Sequence, residues 1–253
     1  MGKNKKHKKQ IKYGLVGRNI SYSFSRKYFN EKFSLLHFDN CEYLNFDIQT
    51  IKEFPNVISE TKGLKGMNVT IPYKEEIIPY LDGLSKTARK IGAVNTISIS
   101  KKKQLKGHNT DHYGFKKALV PLLENHHKKA LILGTGGASK AIAYALRKLK
   151  IEFDFVSRNP TEYEFSYEEL NAEVFNDYQI IINTTPLGTH PNIESCPPLD
   201  YDLFTNKHIA FDLVYNPEET TFMKQAKENG AKVQNGYEML VFQAEKAWKI
   251  WNK

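Results

Sequence analysis

The run Ala130-Leu131-Ile132-Leu133-Gly134-Thr135-Gly136-Gly137-Ala138-Ser139 constrains this chain more than any other stretch. A short apolar strand ends in a glycine turn, and the turn opens a helix. Ala138, Ala141, Ile142, Ala145, Leu146 and Leu149 recur at helical spacing, so one helix face packs on a sheet. A second strand-like run over 151–156 completes a β-α-β unit. The glycines let the backbone approach a ligand closely, and the N–H groups at the helix start attract a pyrophosphate. The unit reads as a dinucleotide site built on Gly134, Thr135, Gly136, Gly137 and Ala138.

The residues just after the second strand separate the two common dinucleotides. NAD sites usually place an acid there to hold the ribose 2′-OH. Here Asp154 lies two residues too early, and the strand runs out into Val156-Ser157-Arg158-Asn159. Arg158 can pair bidentately with a 2′-phosphate and stack on the adenine, which favours NADP. The plainer alternative is a solvated surface arginine.

With 253 residues and 40% hydrophobic content, the chain has material for one large or two modest domains. No apolar stretch is long enough to span a membrane, and the N-terminus lacks a signal peptide's apolar region. Cys41 and Cys196 make neither a disulfide framework nor a zinc pattern, which suits a cytoplasmic protein. The net charge is +9, and Lys3, Lys5, Lys6, Lys8 and Lys9 supply five of those charges. Residues 1–10 therefore read as a disordered basic tail that solubilises the chain, not as a nucleic-acid arm. The charge also suits an anionic cofactor and an acidic substrate.

Ordered structure is expected from Ile11, with a strand over 11–17 ending in a glycine turn. The next loop is dense in hydroxyls, and a helix is expected over 27–33. Ser23 and Ser25 read first as caps or turn residues, and they can also converge on a carboxylate. Strands are expected over 35–38, 66–71 and 91–100, and a helix over 48–60. Pro72 suits a helix start, which puts Lys74 in a first helical turn, where the dipole disfavours a cation. A carboxylate beside it would hold it for proton transfer. Asp111, in Gly107-His108-Asn109-Thr110-Asp111, is the candidate, although Thr110 or Asp111 can equally cap the next helix. His108 and His112 have metal-like spacing but need not share a face, so no metal site is expected. His126 and His127 read as exposed residues ending a helix.

Further on, Ile180-Ile181-Ile182 delivers Asn183-Thr184-Thr185-Pro186-Leu187-Gly188 to the carboxyl end of a strand. Another strand covers 208–214 and stops at Tyr215-Asn216-Pro217. A helix is expected over 220–229, then a short strand at Val233 and a closing helix over 237–251. Leu240, Ala244, Ala247 and Trp251 would form that helix's buried stripe, with Gln243 at its border.

Seven pieces in order resemble the shikimate dehydrogenase family. They are Ser23-Phe24-Ser25, Asn68-Val69-Thr70-Ile71-Pro72-Tyr73-Lys74, Gly92-Ala93-Val94-Asn95-Thr96, Gly107-His108-Asn109-Thr110-Asp111, Gly134 to Ser139, Asn183 to Gly188, and Gly236-Tyr237-Glu238-Met239-Leu240 with Gln243. The resemblance implies an α/β chain of two domains. An N-terminal α/β substrate domain (11–110 plus 237–253) is completed by the C-terminal helix, and a Rossmann-like NADP domain spans 111–236. It implies a reversible, NADP-dependent reduction of 3-dehydroshikimate to shikimate in chorismate biosynthesis, by a monomer or homodimer. Lys74 and Asp111 would be the catalytic pair, and Ser23, Ser25, Thr70, Asn95, Tyr215 and Gln243 would contact substrate. Ser157, Arg158, Thr184 and Gly236 would join the glycine turn around NADP. One departure stands out. The family's substrate loop usually reads His-Ser-x-Ser-Pro, and this chain has Tyr22-Ser23-Phe24-Ser25-Arg26. Loss of the proline is expected to loosen that loop or reset its angle.

Overall fold

The computed structural model describes residues 9–21 and 23–253. The chain divides into two compact units, one formed by the described residues up to Asn109 with Ala247–Lys253, the other by Thr110–Lys246. Most of the basic tail and Tyr22 lie outside the described residues.

In the first unit the strands are β1 (Ile11–Gly17), β2 (Cys41–Asp47), β3 (Leu64–Val69), β4 (Gly83–Leu84), β5 (Thr96–Ile99) and β6 (Leu105–His108). They form one sheet in the order β2-β1-β3-β5-β6-β4. β1 is parallel to β2 and β3, whereas β5 is antiparallel to β3 and β6. Helices α1 (Phe24–Leu35), α2 (Phe54–Glu60) and α3 (Lys86–Ile91) accompany it. Val16, Met67, Val69, Tyr73, Ile77 and Ile97 share one buried core. A second core is aromatic. Trp251 stacks on Tyr13 at 4.9 Å, lies 5.3 Å from the Phe29 ring, and donates its indole N–H to the Ile97 carbonyl at 3.0 Å.

Several expectations are corrected here. The run 35–38 is not a strand: α1 reaches Leu35, which is 80% exposed, and the strand follows at Cys41–Asp47. The run lacks the alternation a half-buried strand needs, whereas β2 pairs residue for residue with β1. No helix starts at Pro72. Residues 71–77 form consecutive turns, closed by Tyr73 N–H to Thr70 O at 2.9 Å and Ile77 N–H to Tyr73 O at 3.0 Å. A helix from Pro72 would place Pro79 in its interior, where the missing N–H breaks it. The strand expected over 91–100 begins only at Thr96, because α3 ends at Ile91 and Gly92 takes a left-handed φ of 74°.

The second unit carries β7 (Lys129–Leu133), β8 (Glu152–Val156), β9 (Glu164–Phe165), β10 (Ile180–Asn183), β11 (Ile209–Asp212) and β12 (Lys232–Gln234). Their order is β12-β11-β10-β7-β8-β9, with every pair parallel. This is the doubly wound Rossmann order, in which the chain leaves β7 one way and returns to β10 on its other side. Open α/β sheets bind ligands at such a switch point, outside the carboxyl ends of the strands. Helices α4 (Asp111–Leu119), α5 (Gly137–Leu149), α6 (Ala172–Asp177), α7 (Thr221–Glu228) and α8 (Tyr237–Trp251) complete the chain. Ile132, Ile142, Leu146, Ile180, Ile182 and Phe211 lie in the core on one side of the sheet.

Two further corrections concern side chains. The buried residues of α8 are Met239, Gln243, Ala244, Ala247 and Trp251, and Leu240 is only half-buried. His127 does not end a helix in solvent. It is 4% exposed, with its Nδ1 accepting from the Glu124 N–H and its Nε2 on the Lys207 carbonyl.

Candidate active site

The glycine turn sits at the switch point. Gly134 has φ +97°, and its N–H donates to the Val156 carbonyl at 2.8 Å, tying the turn to β8. A Cβ on Gly134 would meet Thr185 Cγ2 at 3.0 Å, so the residue also admits the neighbouring loop. Thr184 closes that loop from the β10 side, donating its hydroxyl to the Leu133 carbonyl at 2.7 Å. Gly136 is the N-cap of α5, no side chain caps the helix there, and a Cβ on Gly136 would meet nothing within 4 Å. The helix start thus combines unspent N–H groups, a positive dipole end and open space, which fits the pyrophosphate of a dinucleotide. After β8, the Ser157 hydroxyl accepts the Asn159 N–H at 3.2 Å, while the Ser157 N–H pairs with Phe165 O at 2.9 Å. These bonds hold the turn that carries the exposed Arg158. Thr135, Gly137 and Ala138 complete the turn and the first helical residues.

A buried carboxylate that sequence reading passed over organises the next two strand ends. Asp212 Oδ1 accepts from Asn183 Nδ2 at 3.0 Å and from the Val214 N–H at 2.9 Å, and Oδ2 accepts from Thr220 Oγ1 at 2.6 Å. Burial pushes its pKa up to about 6, although all three donors pull it down. Asn183 Oδ1 in turn accepts from the Thr185 N–H at 3.0 Å and the Thr185 hydroxyl at 2.7 Å. Asp212 therefore reaches the wall of the glycine turn through two residues. It also fixes the backbone that leads into Tyr215, and Gly236 N–H joins the same segment at Val214 O, 3.0 Å. An acid closing an otherwise apolar strand was the available sequence signal.

The first unit holds its own polar cluster. Ser23 occupies the N-cap position of α1 but makes no capping bond, which corrects the expectation that it serves the helix. Ser25 lies inside α1 and is buried. Arg26 falls in the first turn of α1 and is exposed, so the loss of proline leaves a regular helix start. The preceding loop is held by β2: Asp47 accepts the N–H groups of Asn19 and Ile20 at 2.8 and 3.1 Å, and Asn45 Nδ2 donates to Ile20 O at 2.9 Å. Thr70 follows β3, with its N–H on Val16 O at 2.9 Å. Lys74 sits in the turns after it, half-buried, its carbonyl accepting the Val94 N–H at 2.7 Å. Asn95, buried, precedes β5.

In the second unit Asp111 opens α4 and is 6% exposed. Thr110 is the N-cap residue, yet its hydroxyl donates to Gln243 Oε1 at 3.2 Å and does not cap the helix. Gln243 is thus buried beside the residue preceding Asp111, not solvated at a helix border. His108 and His112 belong to different units, and burial lowers the pKa of each to about 4. Both are neutral near pH 7. Among the described residues no three His, Cys, Asp or Glu side chains converge as metal ligands.

Residues 15–97 match the family model of the shikimate dehydrogenase substrate binding domain. The chain is 40% identical to a shikimate dehydrogenase (NADP(+)) of Caldanaerobacter subterraneus subsp. tengcongensis, over 94% of this chain and 90% of that one. The chain belongs to the shikimate dehydrogenase family. A shikimate dehydrogenase (NADP(+)) of Methanosphaera stadtmanae is 38% identical over the same shares. The crystal structure of shikimate 5-dehydrogenase from Thermus thermophilus, in complex with NADP(H) and shikimate, superposes with a TM-score of 0.84. It is 31% identical over 96% of this chain and 93% of that one. The shared fold places the same Rossmann-like dinucleotide unit and the same substrate-type unit in this member of the shikimate dehydrogenase family.

Proposed function

We propose that this chain interconverts shikimate and 3-dehydroshikimate with NADP(H), as a cytoplasmic biosynthetic oxidoreductase acting on a small acid. Family membership supports the substrate. One structural observation carries the cofactor: an uncapped α5 start behind Gly134 and Gly136, at a topological switch point, with Arg158 held in the turn after β8. The guanidinium matches a 2′-phosphate, and the helix start matches the pyrophosphate.

When bound, the nicotinamide supplies or accepts the hydride. The chain's own residues do the rest. Ser23 and Ser25 hold the substrate carboxylate, while Thr70, Asn95, Tyr215 and Gln243 hold its hydroxyls. Lys74 gives a proton to the C3 oxygen during reduction and takes it back during oxidation. Asp111 is the second member of that catalytic pair. Holding both partners in one geometry supplies much of the acceleration.

Replacing Lys74 tests this assignment. Lys74→Ala should lower kcat by roughly a hundred- to ten-thousand-fold, the usual worth of a positioned acid–base group. KM for shikimate should stay within a few-fold. Near-normal kcat would remove Lys74 from the reaction.

A further inference from the structure

A chain of buried hydrogen bonds in the first unit leads to Asn95, one of the residues assigned above to substrate. The Tyr43 hydroxyl lies 2.8 Å from Asn68 Oδ1, and Asn68 Nδ2 lies 3.2 Å from Thr96 Oγ1 and 3.1 Å from the Asn95 carbonyl. Thr96 Oγ1 then lies 3.1 Å from Asn95 Oδ1. Tyr43 and Thr96 are fully buried, and Asn68 and Asn95 are each 3% exposed.

The protons in this chain run in one direction. The Asn95 carbonyl can only accept, so the Asn68 amide must turn its nitrogen toward it. That leaves Asn68 Oδ1, also only an acceptor, facing Tyr43. The single phenolic proton therefore goes to Asn68. Thr96 receives from Asn68 and gives its own proton to Asn95 Oδ1. The amide oxygen of Asn95 is thereby committed to Thr96, which fixes which way that amide faces. Burial raises the Tyr43 pKa well above the ordinary phenol value, so the donor is present at every working pH.

We propose, resting on the functional reading above, that Tyr43 is a positioning residue for substrate. Through Asn68 and Thr96 it fixes which way the Asn95 amide faces. The amide is thereby held in one orientation for a ring hydroxyl of the ligand. Tyr43 lies on the middle of β2 and packs its ring on Phe29 at 4.7 Å, which fixes the direction of its hydroxyl toward Asn68. Such networks act as a unit, and deletion of one member propagates to the next.

The test is steady-state kinetics of Tyr43→Phe, Asn95→Ala and the double variant. Tyr43→Phe removes one oxygen and strands Asn68 Oδ1. KM for shikimate should rise about tenfold, with kcat reduced less and KM for NADP unchanged. The Asn95→Ala effect on KM should be several-fold smaller in the Tyr43→Phe background than alone, the coupling expected of residues in one network. Thr96→Val removes the hydroxyl that joins Asn68 to Asn95 and should raise the same KM a few-fold; it carries the test if Tyr43→Phe does not fold. Additive effects, an unchanged KM, or parallel losses in kcat and NADP binding would overturn the assignment while the family reaction stands. Failure of the unaltered protein to turn over shikimate would overturn the functional reading and this inference with it.

Discussion

Asp212 and Asn183 meet side chain to side chain at 3.0 Å, joining the carboxyl ends of β11 and β10 beneath the glycine turn. The contact is fully buried, so its charge state bears on stability. The folded pKa of Asp212, about 6, lies above its ordinary value of 3.8. A raised folded pKa means that the folded state binds the proton more tightly. The stabilisation linked to that proton is therefore largest below pH 4 and is lost as pH rises through 6. Relative to Asp212→Asn, the wild-type protein should gain about 1 kcal/mol between pH 7 and pH 5. Urea unfolding of both proteins at the two pH values measures this, and parallel shifts would contradict it.

Arg158 carries the cofactor preference. A bidentate, charge-assisted contact contributes about 1.5–3 kcal/mol. Arg158→Ala should therefore raise KM for NADP by roughly ten- to a hundredfold while leaving KM for NAD nearly unchanged. An equal loss with both cofactors would assign Arg158 to the turn's structure and not to the 2′-phosphate.

Two glycines of one turn should separate fold from binding. Gly134 has φ +97° and faces Thr185, so Gly134→Ala should destabilise the protein by about 1–2 kcal/mol. Gly136 has φ −73° and space around its Cβ position. Gly136→Ala should leave thermal stability within about 0.5 kcal/mol of wild type. It should nevertheless weaken NADPH binding at least tenfold, because the added methyl occupies the approach of the pyrophosphate. Unchanged NADPH affinity, read by fluorescence titration, would place the phosphates elsewhere.

Trp251 ties the last helix to the first unit. Its ring is 3% exposed, packs among Tyr13 and Phe29, and its indole N–H satisfies the Ile97 carbonyl. A Cβ on Gly66 would collide with the same ring, so the strand is built around it. Trp251→Ala should cost about 3–5 kcal/mol. A loss under about 1 kcal/mol in denaturant unfolding would show that the first unit does not depend on the last helix.

The parts of this molecule legible in sequence are those whose signal is local. The β7–turn–α5 unit declares itself because an apolar strand, a glycine turn and a 3.6-residue period follow one another without interruption. β2 was hidden, because Cys41–Asp47 interleaves polar and apolar residues with partial burial, while the neighbouring Leu35-Leu36-His37-Phe38 run is apolar yet exposed at a helix end. The turns around Lys74 were hidden because a proline at a strand end looks like a helix start until Pro79 is weighed. The candidate site divides in the same way. Ser25, Asn68, Asn95 and the glycines sit in motifs, whereas Tyr43 and Asp212 act through partners distant in sequence. No periodicity shows a hydrogen bond between residues 43 and 68, or between 183 and 212.

The most direct test of the proposed function is the initial rate of NADP reduction by the purified protein with shikimate, run beside quinate and beside NAD. Rapid turnover is expected with shikimate and NADP together, and far slower turnover when either is replaced. Equal rates with NAD would contradict the role of Arg158, and no turnover of shikimate with either cofactor would contradict the function itself.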